Sequence, residues 1–300
     1  MSDTNRVRLG AVGYLNARPL VYGLDVSTRF DLRYDVPSEC ARLLHEGAID
    51  VGLIPSIEYL RGGVYRIAPD LAIASRGPVD SVAIYTTRPI ADVRSIALDT
   101  SSRTSVALVS VLCARRFRIR PALESRGPDL ADMLGHCDAA LLIGDNALLL
   151  DHENWTSRRQ LAPSSNVRDR LAPSPDVRDP LSPSPQPHLE KIDLGEAWSS
   201  MTGLPFVWAF WAGRPEALND DDVRALGRAR DAGVACSDAI AREYFPNSPA
   251  HQAVGAAYLR DNIKYHLGED ERAALELFYR YAVEAGVVDR VLAPRFYGQP

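Results

Sequence analysis

Four polar clusters stand where an apolar run gives way to a turn, and their side chains are of kinds that hold a small anion. The run 7–12 ends in Gly13-Tyr14-Leu15-Asn16-Ala17-Arg18-Pro19, which puts a phenol, an amide and a guanidinium within five residues. Asn16 either hydrogen-bonds a ligand oxygen or steadies its own turn. The planar fork of Arg18 suits a carboxylate. In Ser75-Arg76-Gly77-Pro78-Val79-Asp80-Ser81 a Gly-Pro turn is flanked by two hydroxyls and a guanidinium. In Asp99-Thr100-Ser101-Ser102-Arg103-Thr104-Ser105, five hydroxyl residues fall within six positions just ahead of a helical pattern. One N-cap serves a helix, so the surplus points to an anion held by free N–H groups and hydroxyls. A phosphate loop is excluded by the missing glycines and lysine. In Gly144-Asp145-Asn146, Asp145 either caps the next helix or contacts a ligand hydroxyl, with Asn146 beside it. Ser56, after Pro55, opens a similar turn.

Elements that end in such loops belong to an open α/β sheet, where ligands bind at the C-terminal ends of strands. The first third alternates strand and helix: strands at 7–12, 31–35 and 49–55, with a helix at 37–45 capped by Ser38 and stopped by Gly47. This order implies a largely parallel sheet. A strand at 81–87 precedes a second block with strands at 96–98 and 139–143 and a helix at 104–117. An apolar run returns at 205–211, followed by helical patterns at 221–244 and 270–285. The chain therefore reads as two lobes. Lobe 1 comprises 1–86 and 208–300, and lobe 2 comprises 87–207, inserted through crossings near 86 and 207. Paired crossings suit a hinged ligand-binding fold with its site in the cleft. Residues 161–187 carry a ten-residue Pro/Ser repeat and read as a disordered insertion in lobe 2.

The composition narrows the function. A net charge of −5 with interspersed signs excludes a basic nucleic-acid stripe. The hydrophobic fraction of 46% suffices for real cores. The four cysteines lack C-x-x-C spacing and read as buried thiols of a reducing compartment. The six histidines are scattered, so neither a histidine base nor a metal site is expected. No apolar stretch reaches bilayer length and the first residues lack a signal-peptide core, which predicts a cytoplasmic protein without membrane insertion.

Several strings together resemble the MqnA family, the chorismate dehydratases of menaquinone biosynthesis by the futalosine route. They are Gly13–Leu20, Asp50–Ser56, Ser75–Val82, Gly144–Ala147, Leu194–Trp198 and Thr202–Ala209. The resemblance spans nearly the whole chain except the repeat. It implies a two-lobed, type II periplasmic-binding-protein-like fold and a cofactor-free loss of water from chorismate, giving 3-[(1-carboxyvinyl)oxy]benzoate. It associates catalysis with Asn16 and with a serine of the Ser75–Ser81 string. Ser81 is the better anchored of the two, but spacing does not settle the choice. Chorismate carries two carboxylates, for which Arg18, Arg76, Arg103 and the helix start at Ser101–Ser105 are the candidates. The competing functions are a 1,4-dihydroxy-6-naphthoate synthase of the sister MqnD family and a non-catalytic small-anion binder of the same fold.

Overall fold

The computed structural model describes residues 6–152 and 189–299. The Pro/Ser repeat at 161–187 lies outside them. Eleven strands form two sheets. The six-stranded sheet contains β1 (Val7–Val12), β2 (Phe30–Asp35), β3 (Val51–Pro55), β4 (Arg66–Ser75), β10 (Phe206–Gly213) and β11 (Ile263–Lys264), in the order β11-β4-β10-β3-β1-β2. The five-stranded sheet contains β5 (Val82–Thr86), β6 (Ser95–Asp99), β7 (Ala122–Arg126), β8 (Ala139–Ile143) and β9 (Glu190–Asp193), in the order β7-β6-β8-β5-β9. Every residue of β3, β5, β8 and β10 is buried, as expected of central strands covered on both faces.

Both sheets are mixed rather than largely parallel. The strand β10 lies antiparallel between β3 and β4, and β5 lies antiparallel to β8 and β9. These are the strands that carry the chain between sheets, so each enters its sheet from the shared end. The crossings also shift from their expected places. Val82–Thr86 pairs with β8 and β9 and so belongs to the second sheet, while Phe206 pairs with Ser75 in the first. The outgoing crossing is therefore 76–81 and the return is 194–205, earlier than 86 and 207.

A single carboxylate joins the two crossings. Asp193 caps helix Leu194–Thr202 by accepting from Glu196 N at 3.0 Å. It also accepts from Val79 N at 3.0 Å and Asp80 N at 2.7 Å. Ser199 Oγ accepts from Gly77 N at 3.0 Å. Burial raises the pKa of Asp193, and these N–H donors offset part of that rise.

The helices set the site's first turn. Helix α1 (Pro37–Glu46) begins with proline in its first turn and ends at left-handed Gly47, as expected, but Ser38 does not cap it. Its amide instead donates to Ser101 O at 3.0 Å. The expected helix 221–244 divides at Cys236 into Asp220–Ala235 and Ser237–Tyr244. The first of these presents Gly233 to the Asn16 turn. A β-carbon there would stand 2.3 Å from Pro19 O, so only glycine allows this close approach.

Candidate active site

A narrow cavity of about 50 Å³, partly open to solvent, lies between the two sheets. Tyr14 and Asn16 reach it from the turn after β1, and Ser81 from the end of the outgoing crossing. Ser102 and Ser105 line it from the start of helix α2 (Arg103–Leu112), Gly144 from the end of β8, and Trp208 from β10. The remaining wall is apolar: Val12, Pro55, Ile73, Val79, Val82 and Ile143 are among its members. None of the lining side chains carries a full charge.

Local structure explains why each polar group points there. Leu15–Val21 is a short 3₁₀ segment whose backbone is held by the Tyr265 hydroxyl, which donates to Asn16 O at 3.0 Å. The Asn16 Oδ1 atom is buried and has no protein hydrogen-bond partner, a costly condition for a carbonyl oxygen unless a ligand relieves it. Ser81 is fixed by its backbone: its amide donates to Val79 O and its carbonyl accepts from Gly144 N, both at 2.8 Å. Its hydroxyl shares a 2.7 Å bond with Tyr258, a buried phenol. Gly144 adopts φ +62, and a β-carbon there would press on the Tyr14 ring at 3.2 Å.

The start of α2 supplies positive potential without a charged group. Ser102 occupies the N-cap position but makes no capping bond. Its Oγ accepts from Ser105 Oγ at 3.1 Å, which leaves its own proton for the cavity. First-turn N–H groups have no intrahelical partner and carry the positive end of the helix dipole. No group of three or more His, Cys, Asp or Glu side chains among the described residues is placed to hold a metal ion.

A family model described as menaquinone biosynthesis matches residues 7–162 and 179–284. A chorismate dehydratase from Thermus thermophilus is 31% identical over 295 residues, spanning 96% of this chain and 97% of that one. The chain belongs to the menaquinone biosynthesis family. Its fold is that of periplasmic binding proteins. A protein from Archaeoglobus fulgidus matches with a TM-score of 0.64 at 17% identity, over 96% of this chain and all (100%) of that one. The periplasmic aliphatic sulphonate binding protein from Escherichia coli matches with a TM-score of 0.59 at 12% identity, over 95% of this chain and 94% of that one.

The three arginines named as candidates for the carboxylates lie elsewhere in the structure. Arg76 pairs with Asp270 on the surface, both side chains being more than half exposed. Arg103 turns to Glu58 at 2.8 Å. Arg18 lies against the rings of Tyr34 and Tyr244, at 4.6 and 5.2 Å from their centroids. None of the three lines the cavity, because each finds an aromatic or carboxylate neighbour on its own side of the wall.

Most of the other expected ligand contacts join the two sheets instead. The Tyr14 hydroxyl donates to Ser101 Oγ at 3.1 Å, and Ser101 Oγ donates to Asp99 Oδ1 at 2.6 Å. Ser56 Oγ donates to Val207 O at 2.8 Å, and Thr104 Oγ1 accepts from Ile57 N at 3.2 Å. Asp145 accepts from the Tyr244 hydroxyl and from Leu15 N. Burial raises its pKa against the opposing effects of Tyr244, Leu15 and Arg18. Ser75 is buried behind Trp208, whose indole N–H donates to it at 3.1 Å. Thr100 and Asn146 are exposed and stand off the cavity.

Three residues of the assembly carry no signal in the analysis above. Tyr258 sits in a π-helical turn, Tyr258–Asn262, a geometry frequent at functional sites but invisible in sequence. Trp208 lies within an apolar strand and reads there as core. Glu58 is fully buried and is bound by His45 at 3.2 Å, Arg61 at 2.9 Å and Arg103 at 2.8 Å. Burial alone would raise its pKa, but His45, Arg61 and Arg103 together hold it below the usual carboxylate range. A lone carboxylate inside Ile57-Glu58-Tyr59-Leu60 is the one signal that could have marked it.

Proposed function

We propose that this chain is a chorismate dehydratase, a hydro-lyase that converts chorismate to 3-[(1-carboxyvinyl)oxy]benzoate and water in menaquinone biosynthesis. One observation carries the reading: the cavity presents Asn16, Ser81 and the open start of α2 to one small volume, in a chain 31% identical to a chorismate dehydratase.

The chemistry fits an uncharged, preorganised wall. In chorismate the C3 hydrogen and the C4 hydroxyl share one ring face. The C3–H electron pair becomes a ring double bond, and the C4–O bond breaks with its own pair. The ring becomes aromatic, so the reaction is downhill. The protein must orient the ring, help hydroxide leave and prevent rearrangement of the enolpyruvyl group. Asn16 and Ser81 hydrogen-bond the departing hydroxyl or an adjacent carboxylate. Ser102, Ser105 and the first N–H groups of α2 face the other carboxylate, where fixed dipoles replace water. No lining side chain is a carboxylate, imidazole or amine. The substrate's own enolpyruvyl carboxylate therefore takes the C3 proton, and the departing hydroxide carries that proton away as water.

Substrate entry requires the lobes to part, and the stitched crossings 76–81 and 194–205 are the hinge in this reading. The test is direct. Purified protein is incubated with chorismate in the absence of added metal or nucleotide, and the mixture is followed by ultraviolet absorbance and mass. Appearance of the aromatic enolpyruvyl benzoate supports the assignment. Chorismate that persists unchanged overturns it, and tight binding without turnover favours an anion-binding protein.

A further inference from the structure

We propose that Tyr258 is a positioning residue of this site: its O–H donates to Ser81 Oγ, and the Ser81 proton is thereby aimed into the cavity. The inference rests on the chorismate reading above.

The direction of this bond follows from burial. Among the described residues the Tyr258 hydroxyl is hydrogen-bonded to Ser81 Oγ at 2.7 Å, and a buried phenol places its proton on an acceptor within reach. Ser81 Oγ then accepts from Tyr258, and its hydroxyl proton is free to rotate toward the cavity that Ser81 lines. Tyr258 is only 3% exposed and does not line the cavity, so it acts through Ser81 rather than on substrate. Burial raises its pKa, and Ser81 and Asn16 relieve that rise only in part, so it stays a protonated donor at neutral pH.

The arrangement also divides labour between two of the residues that line the wall. Asn16 keeps a buried, unpaired acceptor and Ser81 an unpaired donor, and both residues line one volume. A departing hydroxyl can donate to the first and accept from the second. Without the phenol, nothing would hold the Ser81 proton toward the cavity, and the donor facing the leaving oxygen would be lost.

The experiment compares wild type, Tyr258→Phe, Ser81→Ala and the double variant in chorismate turnover. In Y258F, kcat is expected to fall about 10- to 100-fold, the loss from misdirecting one strong hydrogen bond. KM is expected to stay within about threefold, because the ground-state contacts remain. In the S81A background, Tyr258→Phe should cost little further, because its target is already gone. Additive losses in the double variant would mean a general structural role and would overturn the inference. So would a Y258F enzyme as active as wild type, or a Y258F crystal structure with an unchanged Ser81 side chain beside an equally reduced kcat. Wild-type protein that fails to dehydrate chorismate overturns the underlying reading and this inference with it, whereas the other outcomes bear on Tyr258 alone.

Discussion

Replacing Glu58 by glutamine tests how the two lobes are held in register. The carboxylate is fully buried and binds Arg103 from the second lobe, together with His45 and Arg61 from its own. Hydrogen bonds to charged groups contribute about 1.5–3 kcal/mol each, and removing one partner of a buried pair costs about 3–5 kcal/mol. Two facts reduce that figure here. The Arg61 and Arg103 side chains are 37% and 42% exposed and can be resolvated, and glutamine keeps one acceptor oxygen. The expected loss is about 2–3 kcal/mol at neutral pH, equivalent to a fall in Tm of about 4–12 °C. The pH dependence gives the sharper test. Because the folded-state pKa lies below the ordinary 4.5, the stabilisation is fully present above 4.5 and is lost as pH falls through the depressed value. Wild type and E58Q should therefore converge below that range. Thermal unfolding followed by circular dichroism from neutral pH to about pH 3 checks this. An E58Q protein as stable as wild type at pH 7, or a gap that persists in acid, would refute the reasoning.

The remaining predictions concern the cavity. Asn16→Ala and Ser81→Ala should each lower kcat about 100- to 1000-fold, the usual effect of removing a preorganised donor or acceptor; near-normal turnover in both would remove them from the site. Arg76→Ala should leave kcat/KM within about twofold of wild type, since an exposed ion pair contributes about 1 kcal/mol or less and the residue stands off the cavity. A large rise in KM would instead return Arg76 to the substrate. Gly144→Ala should cost about 1–3 kcal/mol in denaturant unfolding, because φ +62 disfavours a side chain and the new methyl presses on Tyr14. The same change should reduce kcat/KM, and unaltered kinetics would separate Tyr14 from the site.

Much of the local structure could be read along the chain because its determinants are local. The apolar run of β1, proline at the start of α1 and glycine at its end are each decided by neighbours in sequence. Where the reading failed, the deciding contact was distant. The long strand β4, absent from the strands expected from sequence, contains Pro69 and Asp70. The structure accommodates them as an irregularity opposite Phe210 and Ala212, with Asp70 at φ +58. The crossings were placed too late because β5 is sorted into its sheet by β8 and β9, not by its own composition.

The same division holds at the site. Sequence by itself marked the polar turns after β1, before β5, after β6 and after β8, and with them Asn16, Ser81 and Ser102, because strand ends and helix starts are short-range features. It did not determine which of the many hydroxyls and guanidiniums in those turns would face a common volume. Arg18, Arg76 and Arg103 are chemically suited to a carboxylate, yet each is claimed by a partner far along the chain. Ser75 and Ser81 are similar in sequence, but Trp208 takes one and Tyr258 meets the other. Side-chain type is a local property, whereas direction depends on packing against distant residues, such as Tyr258, 177 positions from Ser81. Only the tertiary structure therefore decided that the cavity wall is uncharged and that a phenol stands behind Ser81.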